Sequence, residues 1–199
     1  MSKRKIEGSL TKKHIVDQVR SLFAEKGYTA TSMNDICEAT GCSRGNIYYH
    51  FKSKEDLFFH LAIQEMMEFR DDIERITSQN QSSIDRLYAY VDFFADTLQR
   101  PLTRAVEEFT RIEGLESEMV QKIRGGFFIG VSTFEKYIAE GIARGEFKNG
   151  DSGIVTVLIF SMITGLRNYA LLGDVEKNER KETFRKATTL LLQGIAGKK

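Results

Sequence analysis

The sequence predicts an all-α protein of about nine helices, in which a small N-terminal head of three helices precedes a larger C-terminal body. Three observations favour this fold class. Apolar residues recur at the three- and four-residue spacing of amphipathic helices, whereas the alternation that is typical of strands is scarce. Proline occurs once in 199 residues, and glycine is spread along the chain rather than concentrated in a linker. We expect the head at residues 1–55 and the body at residues 56–199.

The first part of the chain predicts one longer helix followed by a short one. Apolar residues at helical spacing predict a first helix from about Thr11 to Lys26, and Gly27 is placed to end it in a left-handed conformation. Ser32 and Asp35 form a capping-box pattern that begins a second helix. Gly41 ends this second helix after about two turns. The second helix is therefore joined to the third by a tight turn that contains Gly41.

The rest of the chain continues the helical pattern. Ser43 caps a third, very short helix, and Ser53 with Asp56 repeats the start signal for a long fourth helix. A polar break at residues 78–83 separates this helix from the rest of the body, where Pro101 suits the first turn of a helix. The other body helices are predicted around Leu87–Leu98 and at about residues 116–144, 153–172 and 176–195.

Composition limits the cellular setting. Two cysteines, Cys37 and Cys42, give no disulfide framework, which favours a reducing cytosol. The basic N-terminus leads into no apolar segment of a secretory signal. The longest apolar run, Gly153–Leu166, stops at Arg167 and is shorter than the roughly 20 residues of a membrane span. We therefore expect a soluble, cytoplasmic protein without a membrane segment.

No residue pattern indicates an enzyme. The chain shows no credibly spaced nucleophile–base pair and no phosphate-binding loop. His50 and His60 have no nearby third ligand, so the sequence predicts no metal site and no cofactor.

The segment TGCSRGNIYYHFKSK, residues 40–54, combines aromatic and basic residues with a tight turn. On a helix, Ile47 points away from an arc of polar and aromatic side chains, so this arc faces outward. Two helices joined by a glycine turn, the second exposing such an arc, form a helix-turn-helix. Arg44 and Asn46 can form paired hydrogen bonds with the edges of nucleic-acid bases, and Lys52 can place positive charge near the phosphate backbone. Residues 1–60 also carry ten Lys/Arg against seven Asp/Glu.

Double-stranded DNA is therefore the predicted partner of the head. For Tyr48, a half-buried position in the core of the head is the alternative. A helical adaptor that binds protein without DNA is the alternative function. The predicted DNA-contacting residues are Thr31, Ser32, Ser43, Arg44, Gly45, Asn46, Tyr48, Tyr49, His50, Lys52 and Lys54.

Residues from about 11 to 60 resemble the DNA-binding head of the TetR family of bacterial transcription regulators. The resemblance rests on AEKGYTATSMNDICEATGCSRGNIYYHFKSKEDLF, which begins at Ala24. Cys37 and Cys42 depart slightly from the family pattern, because small aliphatic residues are usual there. The resemblance implies phosphate contacts by Tyr48, His50 and Lys54, and base reading by Arg44, Gly45, Asn46 and Tyr49.

A dimer is expected because one short helix reads few base pairs, whereas two heads roughly 34 Å apart read a palindrome. The segment 153–172 is apolar nearly all round, as expected of an internal helix or of one shared with a second subunit. The predicted dimer residues are Ile154, Val155, Leu158, Ile159, Met162, Gly165, Phe184, Ala187, Leu191 and Ile195.

The resemblance also implies a small-molecule effector bound by the body. Abundant aromatic and methionine side chains favour an apolar or aromatic effector, although each is individually more typical of a plain core. The predicted pocket residues are Met66, Phe93, Phe94, Phe109, Phe127, Phe128, Phe134 and Met162. The expected function is that of a repressor that binds a palindromic operator as a homodimer and is released by this effector.

Overall fold

The computed structural model of the chain describes residues 3–78, 82–97, 102–148, 150–173 and 175–194, without the side chains of residues 3–9, 127–130 and 171. Within these ranges the regular structure consists of nine α-helices, which confirms the predicted all-α fold class. The helices are α1 (Lys3–Ala30), α2 (Met33–Thr40), α3 (Arg44–His50), α4 (Lys54–Ser78), α5 (Ser83–Asp96), α6 (Thr103–Glu113), α7 (Glu118–Ala143), α8 (Ser152–Leu172) and α9 (Lys177–Gln193).

Helix boundaries agree with the sequence patterns in most places. α1 begins at Lys3, earlier than the expected Thr11, and Gly27 interrupts it with φ 81° and ψ 172°. Such a positive φ is readily adopted by glycine because it lacks Cβ. Pro101 and Ile195 lie outside the described residues.

The helices fall into two compact units. The first contains Met1–Glu68 and Gln99–Gly126, and the second contains Phe69–Leu98 and Phe127–Lys199. The first unit thus includes α6 in addition to the helices of the expected head. The expected boundary between residues 55 and 56 concerns functional domains, and it stays a prediction.

The first unit is built around buried aromatic rings from α1, α4 and α6. The Phe58 ring lies 4.9 Å from the rings of Phe23 and Tyr28, between centroids, and 5.1 Å from that of Phe109. Tyr28 and Phe109 also meet edge to face at 5.1 Å. Edge-to-face pairs at this separation stabilise the fold beyond the contribution from burying the apolar surface of the rings. This cluster joins α6 to the helices that carry the helix-turn-helix.

The second unit has its own aromatic core and a charged seam. The Tyr90 ring lies 4.4 Å from that of Phe134 and 5.8 Å from that of Phe160. Burial raises the pKa of Tyr90 far above its ordinary value, because ionisation in this setting is unfavourable. α5 and α9 are also linked at their surface, where the guanidinium of Arg185 donates to both carboxylate oxygens of Asp92.

α8 is unusual among the described helices. Its segment Ser152–Ala170 is long and apolar enough to cross a membrane, judged by length and composition alone. Only 22% of this segment is buried. A core helix of a soluble protein meets the same criterion, so this finding by itself is weak support for a membrane span. The exposed apolar surface of α8 nevertheless requires an explanation.

Candidate nucleic-acid interface

Hydrogen bonds at the helix ends fix the α2–turn–α3 geometry. The amide of Asp35 donates to Ser32 Oγ at 3.2 Å, and the amide of Ser32 donates to Asp35 Oδ2 at 2.8 Å. This is the reciprocal capping box that the sequence predicts. Gly41 follows α2 with φ 65°, and Ser43 Oγ accepts from the amide of Asn46 at 3.2 Å. The start of α3 is therefore set by local signals on both sides of the turn.

The capping carboxylate is also held electrostatically. Lys26 Nζ donates to Asp35 Oδ1 at 2.6 Å, so α1 and α2 are tied together at the surface. The Lys26 bond first, and then the bonds from Ser32, hold the pKa of Asp35 far below its usual range. Asp35 consequently stays ionised at neutral pH.

α3 presents the predicted arc to solvent. Ile47 is 1% exposed and packs in the core of the first unit, as expected. Arg44 and Asn46 are exposed, and so is the backbone at Gly45. Tyr49 is 80% exposed and Tyr48 47%, so neither tyrosine is a core residue. The structure thus brings side-chain hydrogen-bonding groups and aromatic rings together on one open surface.

The remaining predicted contacts lie around this arc. The His50 ring meets the Tyr49 ring edge to face at 5.0 Å between centroids. Lys52 is exposed, and its amide donates to Asp56 Oδ2 at 2.8 Å, which fixes the chain between α3 and α4. Ser32 and Ser43 are exposed, although each hydroxyl already serves a helix cap.

Thr31 corrects one expectation. Its side chain is 1% exposed, and its hydroxyl donates to the carbonyl of Gly27 at 2.7 Å. This hydroxyl therefore satisfies a backbone acceptor at the end of α1, where the regular helical ladder is broken. Thr31 is among the predicted DNA-contacting residues, but its side chain is buried inside the first unit.

Lys54 has a structural role that the sequence did not indicate. Its Nζ donates to the carbonyls of Tyr28 at 3.1 Å and Thr31 at 3.0 Å, and lies 4.3 Å from the centroid of the Tyr28 ring. A cation here stabilises the carbonyl end of α1 and also binds the face of the ring. Lys54 consequently fastens the start of α4 to the end of α1.

Tyr28 and Glu55 extend this junction. The Tyr28 hydroxyl donates to Glu55 Oε1 at 3.2 Å. Burial, and then the Glu55 charge, raises the pKa of Tyr28. A hydrogen bond from Ser53 is the main cause that lowers the pKa of Glu55. Sequence reasoning gave these two residues no functional role, because their partners lie on other helices.

The predicted pocket residues divide between the two units. Met66 and Phe109 belong to the first unit, and Phe109 is a fully buried core residue there. In the second unit Phe134 is buried, whereas Phe93 and Phe94 are half-buried beside Phe69. Phe109 and Phe134 thus match the core alternative. Met162 is half-buried, and the side chains of Phe127 and Phe128 lie outside the described part of the chain.

The predicted dimer residues also divide. Ile159 and Phe184 are each 1% exposed in the core of their own chain, which corrects their expected place at an interface. Val155, Met162, Ala187 and Leu191 are half-buried, and Ile195 lies outside the described residues. Ile154, Leu158 and Gly165 are exposed on α8.

Other exposed apolar residues share this surface of α8 or lie on α9. Periodicity alone gives α8 two apolar faces, so these residues were not among the predicted dimer residues. They are Val157, Tyr169, Leu172 and Leu190, which are 59%, 61%, 91% and 64% exposed.

The groups of three or more His, Cys, Asp or Glu that a metal site needs are absent from the described residues.

A helix-turn-helix with an exposed polar and aromatic second helix defines a DNA-binding class of protein. Residues 15–61 match the family described as bacterial regulatory proteins, TetR family. Residues 65–197 match the family described as the C-terminal region of QacR-like proteins. The second match alone spans more than half of the chain, so the chain belongs to the TetR family of transcriptional regulators, with a QacR-like C-terminal region.

Individual relatives agree with this assignment. The chain is 23% identical over 190 residues to the transcriptional regulator QacR of Staphylococcus aureus, which covers 93% of this chain and 98% of the relative. A TetR regulator structure from Chloroflexus aurantiacus is similar with a TM-score of 0.78 and 24% identity, over 94% of this chain and 96% of that one.

A second solved structure is that of the regulator FadR from Bacillus subtilis in complex with stearoyl-CoA. It is similar with a TM-score of 0.66 and 21% identity, covering 92% of this chain and 99% of that chain. At these identities, the similarity of this chain to the two solved structures shows its fold alone.

Proposed function

We propose that the protein is a cytoplasmic repressor that binds a palindromic operator as a homodimer and is released by a small apolar or aromatic effector. The exposed arc of α3 carries the proposal. Arg44 and Asn46 stand beside Gly45 at the start of this helix, where side chains of a recognition helix reach base edges. Repression follows physically when a bound dimer occupies a promoter and excludes the polymerase.

Each residue of the arc has a proposed role. Arg44 and Asn46 read bases through paired hydrogen bonds, and Tyr49, the most exposed ring of α3, contacts base edges or the sugar. Tyr48 and His50 donate to phosphates, and Lys52 supplies charge to the backbone. Lys54 has already committed two donors to carbonyls, so a phosphate contact falls to its remaining N–H.

The exposed apolar surface of α8 supports the dimer. Ile154, Val157 and Leu158 are at least half exposed, and solvent contact of so many adjacent apolar side chains is unfavourable. A Cβ added at Gly165 would meet nothing within 4 Å in this chain, which leaves room for a close approach of a second helix. A partner α8 and α9 would cover this face, giving a bundle of four helices.

The half-buried rings of the second unit support an apolar or aromatic effector. Phe69 lies 5.5 Å from Phe93 and 5.4 Å from Phe94, between ring centroids. Aromatic side chains commonly line ligand pockets. The FadR relative binds an acyl-CoA, which carries a long apolar chain. An effector that binds one conformation better than the other shifts operator affinity reciprocally.

Fluorescence anisotropy with DNA duplexes tests the DNA-binding role. The protein should bind a random-sequence duplex weakly, with an affinity that falls steeply as salt is raised. Selection from a random library should then enrich palindromic duplexes that bind more tightly. Salt-independent or undetectable binding would instead favour the protein-binding adaptor.

Arg44→Ala tests base reading on the selected operator. We expect a loss of about 1–3 kcal/mol and a relaxed preference at one base pair of each half-site. Arg124→Ala is the matched control, because Arg124 is an exposed arginine of α7 outside the helix-turn-helix. Equal losses for the two variants would contradict the role assigned to Arg44.

A further inference from the structure

An apolar cavity lies within the second unit. Its volume is about 370 Å³, within the range of sites that hold small ligands. The walls come from α5, α7, α8 and α9 and from the segment that joins α7 to α8. They are formed by Ile84, Leu87, Ile138, Glu146, Phe147, Lys148, Val155, Leu158, Ile159, Leu191, Leu192 and Gly194.

This cavity is distinct from the predicted effector pocket. None of the six predicted pocket residues whose side chains the structure describes is among its lining residues. The ring of Phe147 closes one side, and it lies so near Gly141 that a Cβ added there would approach it to 2.4 Å. Gly141 therefore allows the α7–α8 segment to fold back against α7 and shape the wall.

In the described part of the wall, the one acidic residue is already compensated. Glu146 accepts a hydrogen bond from the amide of Ser83 at the start of α5, where the partial positive charge of a helix end favours an anion. Its other oxygen, Oε1, lies 3.5 Å from the guanidinium of Arg144. Glu146 thus fixes the wall of the cavity and is poorly suited to bind a cationic ligand.

Among the described residues of the wall, the one basic residue is not compensated in this way. Lys148 is exposed at the rim, and its Nζ lies 3.8 Å from the position that a Cβ on Gly194 would occupy. Among the described residues it forms no ion pair. An ammonium group on a flexible stem at the mouth of an apolar cavity is suited to a ligand with an anionic head.

We propose that this cavity binds a small aliphatic carboxylate. The hydrocarbon chain lies against Leu87, Ile138 and Leu192, and the carboxylate pairs with Lys148 at the rim. Burial of the chain supplies most of the affinity, because the walls are apolar on all four helices. The ammonium of Lys148 selects an anion over a neutral or cationic head. The described wall contains none of the aromatic residues proposed for the effector, and it shares Leu158 and Leu191 with the face of α8 and α9 proposed for the dimer.

Calorimetric titration of the full-length protein with decanoate, below its micelle concentration, tests the proposal. We expect one decanoate per chain, weaker binding of decanol, and still weaker binding of decyltrimethylammonium. Lys148→Ala should weaken decanoate binding about three- to tenfold and leave decanol binding unchanged. Lys136→Ala is the matched control, an exposed lysine of α7 that is absent from the cavity wall.

Methyl NMR of the unmodified protein locates the ligand. Decanoate should shift the signals of Ile138 and Leu192 in the wall and leave that of Ile47 in the first unit unchanged. Ile84→Phe, which adds volume to a half-buried wall position, should reduce binding of both decanoate and decanol. Absence of decanoate binding, equal binding by the two lysine variants, or shifts confined to residues outside the wall would each overturn the proposal. None of these readouts requires DNA, so they stand or fall separately from the repressor function.

Discussion

Two helices of this protein, α3 and α8, expose large apolar or aromatic side chains, but the neighbours of these side chains differ. On α3 the exposed Tyr48 and Tyr49 stand among Arg44, Asn46 and the nearby Lys52. On α8 the single charged residue between Ser152 and Leu172 is Arg167. Exposure alone therefore does not identify a partner.

The difference indicates which partner each surface suits. Hydrogen-bond donors and cations around aromatic rings match a polyanion with polar base edges, as at a DNA groove. A surface with almost no charge matches another apolar surface, and a second copy of the same helix is always available.

The largest effect is expected for Val157→Arg on α8. Two buried arginines facing each other across a dimer axis would cost about 3–5 kcal/mol each, because neither charge is paired. In the isolated chain Val157 is 59% exposed, so the fold itself should tolerate the change. We expect a monomer in sedimentation analysis and a large loss of affinity for a palindromic operator.

Ala139→Arg is the control for this variant. Ala139 is an exposed residue of α7, and the same side chain there should leave both the dimer and the operator affinity intact. If Val157→Arg stays dimeric, the exposed face of α8 is not the dimer interface, and the contrast between α3 and α8 loses its explanation.

A smaller effect is expected for Lys54→Ala at the base of the head. The variant removes two hydrogen bonds to carbonyls and a cation over the Tyr28 ring, and we expect the free energy of unfolding to fall by about 2 kcal/mol. Urea denaturation measures this change.

Lys52→Ala separates structure from DNA contact. The Lys52 side chain is exposed, so its removal should leave the free energy of unfolding unchanged. It should instead reduce the slope of log affinity against log salt by about one, as expected for one lost phosphate contact. The reverse pattern for the two lysines would refute both roles.

Sequence reasoning succeeded where signals are local. The capping box of Ser32 with Asp35, the left-handed Gly41 and the cap at Ser43 lie within a few residues of the bonds they make, so α2 and α3 could be placed from the pattern. The inward direction of Ile47 followed from helical geometry alone. These features carry the helix-turn-helix.

Prediction from the sequence failed mainly where a side chain contacts residues that are distant in the chain. Lys54 donates to carbonyls of residues 28 and 31, and nothing in its neighbourhood in the sequence announces this. The periodicity of α8 showed two apolar faces, and only packing against other helices decides that Ile159 is buried and Val157 exposed. Thr31 is a different case, because its hydroxyl donates to the carbonyl of Gly27 only four residues earlier, where the break in α1 leaves that acceptor open.

The smallest expected effect tests such a distant contact, between Glu108 of α6 and the end of α1. Glu108 Oε2 accepts from the amide of Thr29 at 3.0 Å, and Oε1 accepts from Arg104 Nε at 2.9 Å. The Thr29 bond is the main cause that lowers the pKa of Glu108 from 4.5. The ionised carboxylate therefore makes its full contribution to the free energy of unfolding at pH values above 4.5. This contribution is lost as the pH falls through the lowered pKa of Glu108 in the folded protein.

Glu108→Gln keeps an acceptor for Thr29 but removes the charge. We expect a loss of about 0.5 kcal/mol in the free energy of unfolding at pH 7, because the side chain is largely buried and the amide retains the weaker bond. The difference from the parent protein should shrink in acid and vanish once Glu108 is protonated in both the folded and unfolded states. A difference that persists unchanged at low pH would show that the charge is not the cause, and that the substituted amide instead disturbs the packing of α6 on α1.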